Sequence, residues 1–144
     1  PYNREGWGMC TVGDCVMTSD GSSELVRRDP VTLQPLDVVI VRCCGQRITG
    51  LNDLAWFGGL VWANVLARPY LAGIDPASGE VVEIADARKA SERHWGDPQA
   101  IMNGVAAMPR PAEFLLTGKG WRHIYHVRLI PVRRHRDPVR LLTG

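Results

Sequence analysis

The sequence predicts an all-β protein assembled from β-propeller blades, because short strand-like segments recur at a fixed interval with the same turn between them. Asp29-Pro30 and Asp75-Pro76 stand 46 residues apart, inside the matching stretches 25–33 and 71–79. Each stretch runs on into a β-branched segment, at 38–41 and 81–84. In an Asp-Pro-x-Ser/Thr turn the carboxylate accepts bonds from nearby backbone N–H groups, and the proline presets φ at the second turn position. Each copy therefore reads as strand, tight turn, strand.

The elements follow in order. A hairpin is expected at Trp7-Gly8-Met9-Cys10 and Cys15-Val16-Met17-Thr18, turning at Gly13-Asp14, ahead of the first Asp-Pro turn. Its counterpart is Asp53-Leu54-Ala55-Trp56 and Leu60-Val61-Trp62-Ala63-Asn64, turning at Gly58-Gly59. A third copy opens with Asn103-Gly104-Val105, turns through Pro109-Arg110-Pro111-Ala112 and returns along residues 113–119. Residues 123–129 then alternate apolar and polar at the strand period. Helix is expected only as a turn or two within residues 84–94. The pattern gives three four-stranded units, at roughly residues 1–46, 47–96 and 97–144, and a β-sandwich is the architecture it competes with.

Three blades do not close a ring. Propellers close with about four to eight, and an open arc leaves apolar blade faces in water. The chain is thus expected to be part of a larger ring, completed by the rest of a longer gene product or by oligomerisation. It begins at Pro1 without an initiator methionine, which suggests a cleaved start or a fragment.

With 144 residues, 45% hydrophobic and 22% charged, the composition is globular, and a net charge of +2 is too small to imply a nucleic-acid partner. No run approaches the roughly 18 apolar residues of a membrane span. Arg133, Arg134, His135, Arg136 and Arg140 read as a solvated basic end. The four cysteines lack metal-type Cys-x2-Cys spacing. They read as free thiols, with a Cys10–Cys15 bridge across the hairpin as the alternative; adjacent Cys43 and Cys44 would face opposite sides of a strand. His123 and His126, three apart on an expected strand, cannot share a metal, and no phosphate loop or nucleophile elbow occurs.

Innermost strands line a propeller's channel, so repeat-equivalent residues at their ends form rings. Trp7, Asn52 and Asn103 precede the innermost strands at spacings of 45 and 51, and Asp20, Asn64 and Lys119 lie near the ends of the second strands. Asn and Asp at such places are commonly turn formers. From the residues alone the expectation stops at a propeller arc with a polar channel.

The ordered motifs go further. Glu5-Gly6-Trp7-Gly8, Ser19-Asp20-Gly21, Leu51-Asn52-Asp53-Leu54, Trp62-Ala63-Asn64, Asn103-Gly104 and Leu116-Thr117-Gly118-Lys119-Gly120-Trp121 resemble the plant and bacterial glutaminyl cyclases at matching spacings. The resemblance implies a five-bladed propeller that converts the N-terminal glutamine of a peptide or protein to pyroglutamate with release of ammonia. It implies neither metal nor other cofactor, and a periplasmic or secreted protein. It casts Asn52 and Lys119 as catalytic groups and Trp7, Trp62, Asn64, Asn103 and Trp121, with Asn52, as the substrate pocket. The glutamate that shuttles the proton would stand in earlier blades, in a Phe-Gly-Glu-Gly motif this chain lacks, so the chain alone is expected to be inactive. Leu66 stands where the family usually has a pocket tryptophan, and Asp53 where it usually has glutamate. A peptide-binding propeller module without catalysis is the competing function.

Overall fold

A computed structural model describes residues 4–92, 100–130 and 138–143. β1 (Gly8–Val12), β2 (Cys15–Ser19), β3 (Glu24–Arg28) and β4 (Pro35–Ile40) form one antiparallel meander. β5 (Arg42–Cys43) and β6 (Gln46–Arg47) make a small separate hairpin. β7 (Leu51–Phe57), β8 (Leu60–Val65), β9 (Tyr70–Ile74) and β10 (Val81–Asp86) form the second meander, and the turn of helix α1 (Arg88–Ser91) follows. β11 (Ile101–Ala107), β12 (Glu113–Lys119) and β13 (Tyr125–Arg128) form the third, and α2 (Pro138–Thr143) comes last. The innermost strands β1, β7 and β11 lie side by side, so the sheets are successive blades of a propeller arc.

The repeat holds at the level of single bonds. Oδ1 of Asp29 accepts from the N–H groups of Val31 (3.0 Å) and Thr32 (2.7 Å) and from the Thr32 hydroxyl (2.9 Å). Oδ1 of Asp75 accepts likewise from Ala77 (3.0 Å), Ser78 (2.8 Å) and the Ser78 hydroxyl (2.9 Å). These bonds hold both carboxyls below the usual carboxylate range. Each turn closes through a residue at positive φ, Leu33 at 58° in the first and Gly79 at 78° in the second. A Cβ at Gly79 would overlap the Ile40 carbonyl oxygen, so glycine is required there. Leu33 adopts the same conformation with a side chain that is half exposed. Leu33→Gly is therefore expected to stabilise the chain by about 0.5–1 kcal/mol in urea unfolding, since the left-handed strain outweighs the entropy glycine adds.

The sheets stack through apolar faces. Met17, Leu25, Val41, Leu51, Val61 and Ile74 fill the layer between the first two. Trp62, Leu71, Met102, Val105, Phe114 and Leu116 fill the layer between the second and third. There the Phe114 ring meets Phe57 and Trp62 edge-on, with centroids 5.6 Å and 5.7 Å apart. Each blade thus leans on its neighbours, as in any stacked repeat.

Several expectations are corrected. The third unit pairs three strands, not four, among the described residues. The turn of helix expected within residues 84–94 is present as α1, while Ile84, Ala85 and Asp86 finish β10 by pairing with Ala72, Leu71 and Tyr70. The end of the chain is not wholly solvated: Leu142 of α2 is buried in the first core while Arg140 stays exposed, and Arg133 to Arg136 lie outside the described residues. Cys44 occupies a turn at φ 51°, not a strand. All four cysteines are free, and the β1–β2 register sets Cys15 opposite Val12, not Cys10. Burial pushes the Cys10 thiol up to about 12.

Candidate functional site

The register places six of the seven candidate residues at one end of the sheets. Gly8 pairs with Ser19, Leu51 with Val65, and Ile101 with Lys119. Trp7, Asn52, Asn64, Asn103, Lys119 and Trp121 all stand at or just beyond these pairs. Asn52 and Asn103 do not precede their strands, as expected, but lie within them at bulges. Leu51 and Leu54 pair with Val65 and Ala63, so Asn52 and Asp53 together face Asn64. Met102 and Gly104 pair with Gly118 and Thr117, which leaves Asn103 as the extra residue. A bulge re-aims the side chain it carries, which is a use well suited to a site.

The bulge carrying Asn52 is pinned from both neighbouring blades. The buried Ser19 hydroxyl of the first sheet donates to the Asn52 carbonyl at 2.6 Å. Asp53 accepts from its neighbour Leu54 N–H through Oδ1 and from Val105 N–H, on the inner strand of the third sheet, through Oδ2, both at 2.9 Å. That bond also covers the inward-facing strand edge, whose N–H would otherwise lack a strand partner. Gly8 lets the first inner strand lie against the second: a Cβ there would overlap the Asn52 carbonyl oxygen and come within 2.6 Å of the Asp53 Cα.

Two indoles lie on glycine backbone at this end. The Trp7 ring covers Gly21 and the Trp121 ring covers Gly118, where an added Cβ would meet ring atoms at 2.6 Å in each case. Trp121 also meets Tyr125 edge-on at 5.5 Å. Near Trp7, Arg4 bridges Asp20 and Glu24, each at 2.8 Å. Burial works to raise the Asp20 carboxyl, but bonds from Ser22 and the Arg4 guanidinium hold it below its ordinary range.

With so much backbone fixed, the polar side chains that remain free stand out. The carboxamides of Asn52 and Asn103 and the ammonium of Lys119 make no hydrogen bond or ion pair with a protein group among the described residues. Asn52 is buried, Asn103 half-buried and Lys119 exposed. An amide donor and a cation left free of protein partners are available to stabilise negative charge that develops on a bound molecule.

Two candidates are buried rather than open to this end. Trp62, 3% exposed, packs in the second core with its indole N–H donated to the Phe57 carbonyl at 3.3 Å. Asn64 is fully enclosed. Sequence reasoning quoted Ser19 only within a motif, without a role, and passed over Arg4. Ser19 sits 33 residues from the carbonyl it holds, a separation at which no pattern in the chain announces contact.

At the opposite end of β12 lies a second polar cluster. A cleft of about 290 Å³ is lined by Glu113, His126, Val127 and Arg128. The Glu113 carboxylate takes bonds from Arg128 (2.6 Å) and His126 (2.8 Å). Arg128 first, then His126, hold it below the ordinary value of 4.5 despite burial. A depressed carboxyl contributes stability that is complete above its ordinary value and lost as pH falls through the depressed one. Glu113→Gln is expected to flatten that loss below about pH 4.5, measured as the urea midpoint against pH. No group of three or more metal-ligating side chains occurs among the described residues.

A family model described as glutamine cyclotransferase matches residues 1–129 of this chain. The glutaminyl-peptide cyclotransferase of Arabidopsis thaliana is 34% identical over 133 residues, a match covering 89% of this chain and 41% of the relative. The crystal structure of Myxococcus xanthus glutaminyl cyclase superposes with a TM-score of 0.84 at 32% identity, covering 92% of this chain and 58% of that one. The chain thus spans 41% and 58% of the length of these two relatives.

Proposed function

Because the chain belongs to the glutamine cyclotransferase family, we propose that it supplies one half of an active site converting the N-terminal glutamine of a peptide or protein to pyroglutamate. In that reaction the neutral α-amine attacks the γ-amide carbon, and a carbon–nitrogen bond forms as the carbonyl becomes an oxyanion. The carbonyl then re-forms, the original amide bond breaks, and the proton given up by the amine leaves with ammonia. The acyl group passes from one nitrogen to the other within the substrate, which makes the enzyme a cyclising acyltransferase.

What supports this reading is that the unpartnered side chains of Asn52, Asn103 and Lys119 stand at the same end of the sheets as two glycine-packed indoles. Asn52 donates to the oxyanion, Lys119 stabilises the charge that develops there, and Asn103 takes a further polar group of the substrate. Trp7 and Trp121 wall the pocket and keep water out. Trp62 serves from behind, through packing, and Asn64 stands enclosed behind the bulge that carries Asn52.

The proton shuttle is assigned to a residue outside this chain. At this end Asp20 and Glu24 are engaged by Arg4, Asp53 by backbone N–H groups, and Glu5 stands in solvent. Further blades would cover the face of the first sheet turned away from the second, where Met9, Leu36 and Val38 are 61%, 61% and 47% exposed. They come from the rest of the gene product or from another copy, and export from the cytoplasm is inferred from the family alone. The test is ammonia release from a Gln-peptide by the complete polypeptide that contains this chain and by the 144-residue chain. Turnover by the complete polypeptide and none by the chain is the expected result; binding of the peptide without turnover by either would make it a peptide-binding module.

A further inference from the structure

Asn64 is 0% exposed, and neither Nδ2 nor Oδ1 of its carboxamide meets a hydrogen-bonding protein group among the described residues. Its place in the register is particular, since it alone faces the two-residue bulge Asn52–Asp53. The bulge of the third sheet is held differently. There Thr117 pairs with Gly104, and its methyl packs so closely that a Cβ on Gly104 would overlap it. In the second sheet Ala63 takes the place of Thr117 beside the bulge, and the residue facing the bulge itself carries a carboxamide. Buried amides in folded proteins are nearly always bonded, and ordered water commonly serves where protein groups do not. A water held by both ends of such an amide couples it to whatever else the water touches.

We propose that Asn64 is a positioning residue, whose carboxamide holds one internal water that braces the bulge and so sets the aim of Asn52. This rests on the reading of Asn52 as a group that meets the substrate. Ser19 fixes the Asn52 carbonyl from one side and Asp53 ties the strand to the third sheet on the other. The side of the bulge facing β8 has Asn64 alone to hold it.

The test uses the complete polypeptide with a Gln-peptide. Asn64→Leu keeps the branched shape and the number of heavy atoms and removes the amide; Asn64→Ser loses volume but keeps a polar group that can hold water. Asn64→Leu is expected to lower kcat roughly tenfold or more, because Asn52 is misplaced, with an unchanged or raised thermal midpoint. Asn64→Ser is expected to keep kcat within about threefold while lowering the midpoint. The opposite order in kcat, with serine worse than leucine, belongs to a purely packing role and would overturn the proposal. In an Asn52→Ala background, Asn64→Leu should cost no further kcat, and an additive loss would likewise overturn it. A readout independent of turnover is the NMR cross-peak between a long-lived water and the Asn64 side-chain amide protons. Its absence overturns the proposal, whereas its presence in a protein that makes no pyroglutamate sustains the water and sinks the catalytic reading.

Discussion

Replacing Lys119 by alanine in the complete polypeptide is expected to lower kcat for pyroglutamate formation by roughly 10²- to 10³-fold, and Asn52→Ala by a similar factor. Both side chains stand at the polar end of the arc without a protein partner among the described residues, so neither is occupied in holding the fold. Lys119 is exposed at the last position of β12, where truncation should change stability by no more than about 0.5 kcal/mol. The loss should therefore appear in turnover while the urea midpoint stays put. Groups aimed at charge that develops only in the transition state act on kcat more than on KM, so kcat and kcat/KM should fall together. Unchanged turnover in both variants would remove these residues from the site.

Gly8→Ala is expected to cost roughly 2–3 kcal/mol of stability and to impair turnover with it. An added methyl at Gly8 meets backbone, the Asn52 carbonyl and the Asp53 Cα, not the tip of a side chain that could swing aside. Relief requires the first and second inner strands to part. That parting stretches the 2.6 Å bond from Ser19 to Asn52 and moves Trp7, the adjoining residue, away from the bulge. Gly13 makes the control: it has open space around it, so alanine there meets only the cost of its positive φ of 59°. A fall in the urea midpoint no larger for Gly8→Ala than for Gly13→Ala would contradict the close approach of the two strands.

Where the chain uses local chemistry, the sequence was legible. The Asp29 and Asp75 turns repeat bond for bond because an aspartate, a proline and a hydroxyl residue complete such a turn among themselves. The Gly58-Gly59 hairpin is equally local, with both residues at positive φ, 63° and 82°. The Arg42–Arg47 hairpin was invisible because four paired residues around Cys44 and Gly45 are too few to show alternation. The bulges were invisible for another reason. They appear only when two strands are laid side by side, and they shift Asn52 and Asn103 from turn formers to aimed side chains. Trp62 and Asn64 share a motif that the resemblance cast as substrate pocket, yet the sheet turns both inward, since alternate residues of β8 face the third blade. The family resemblance located the region; only the register separated the free side chains from those that pack.

The most direct measurement is mass spectrometry of a peptide with N-terminal glutamine after incubation with the complete polypeptide that contains this chain. The account predicts loss of one ammonia per peptide, at a rate cut at least a hundredfold, by the order of an oxyanion-hole deletion, when Asn52 and Lys119 are both replaced by alanine. Cyclisation at the full rate by that double variant would contradict it.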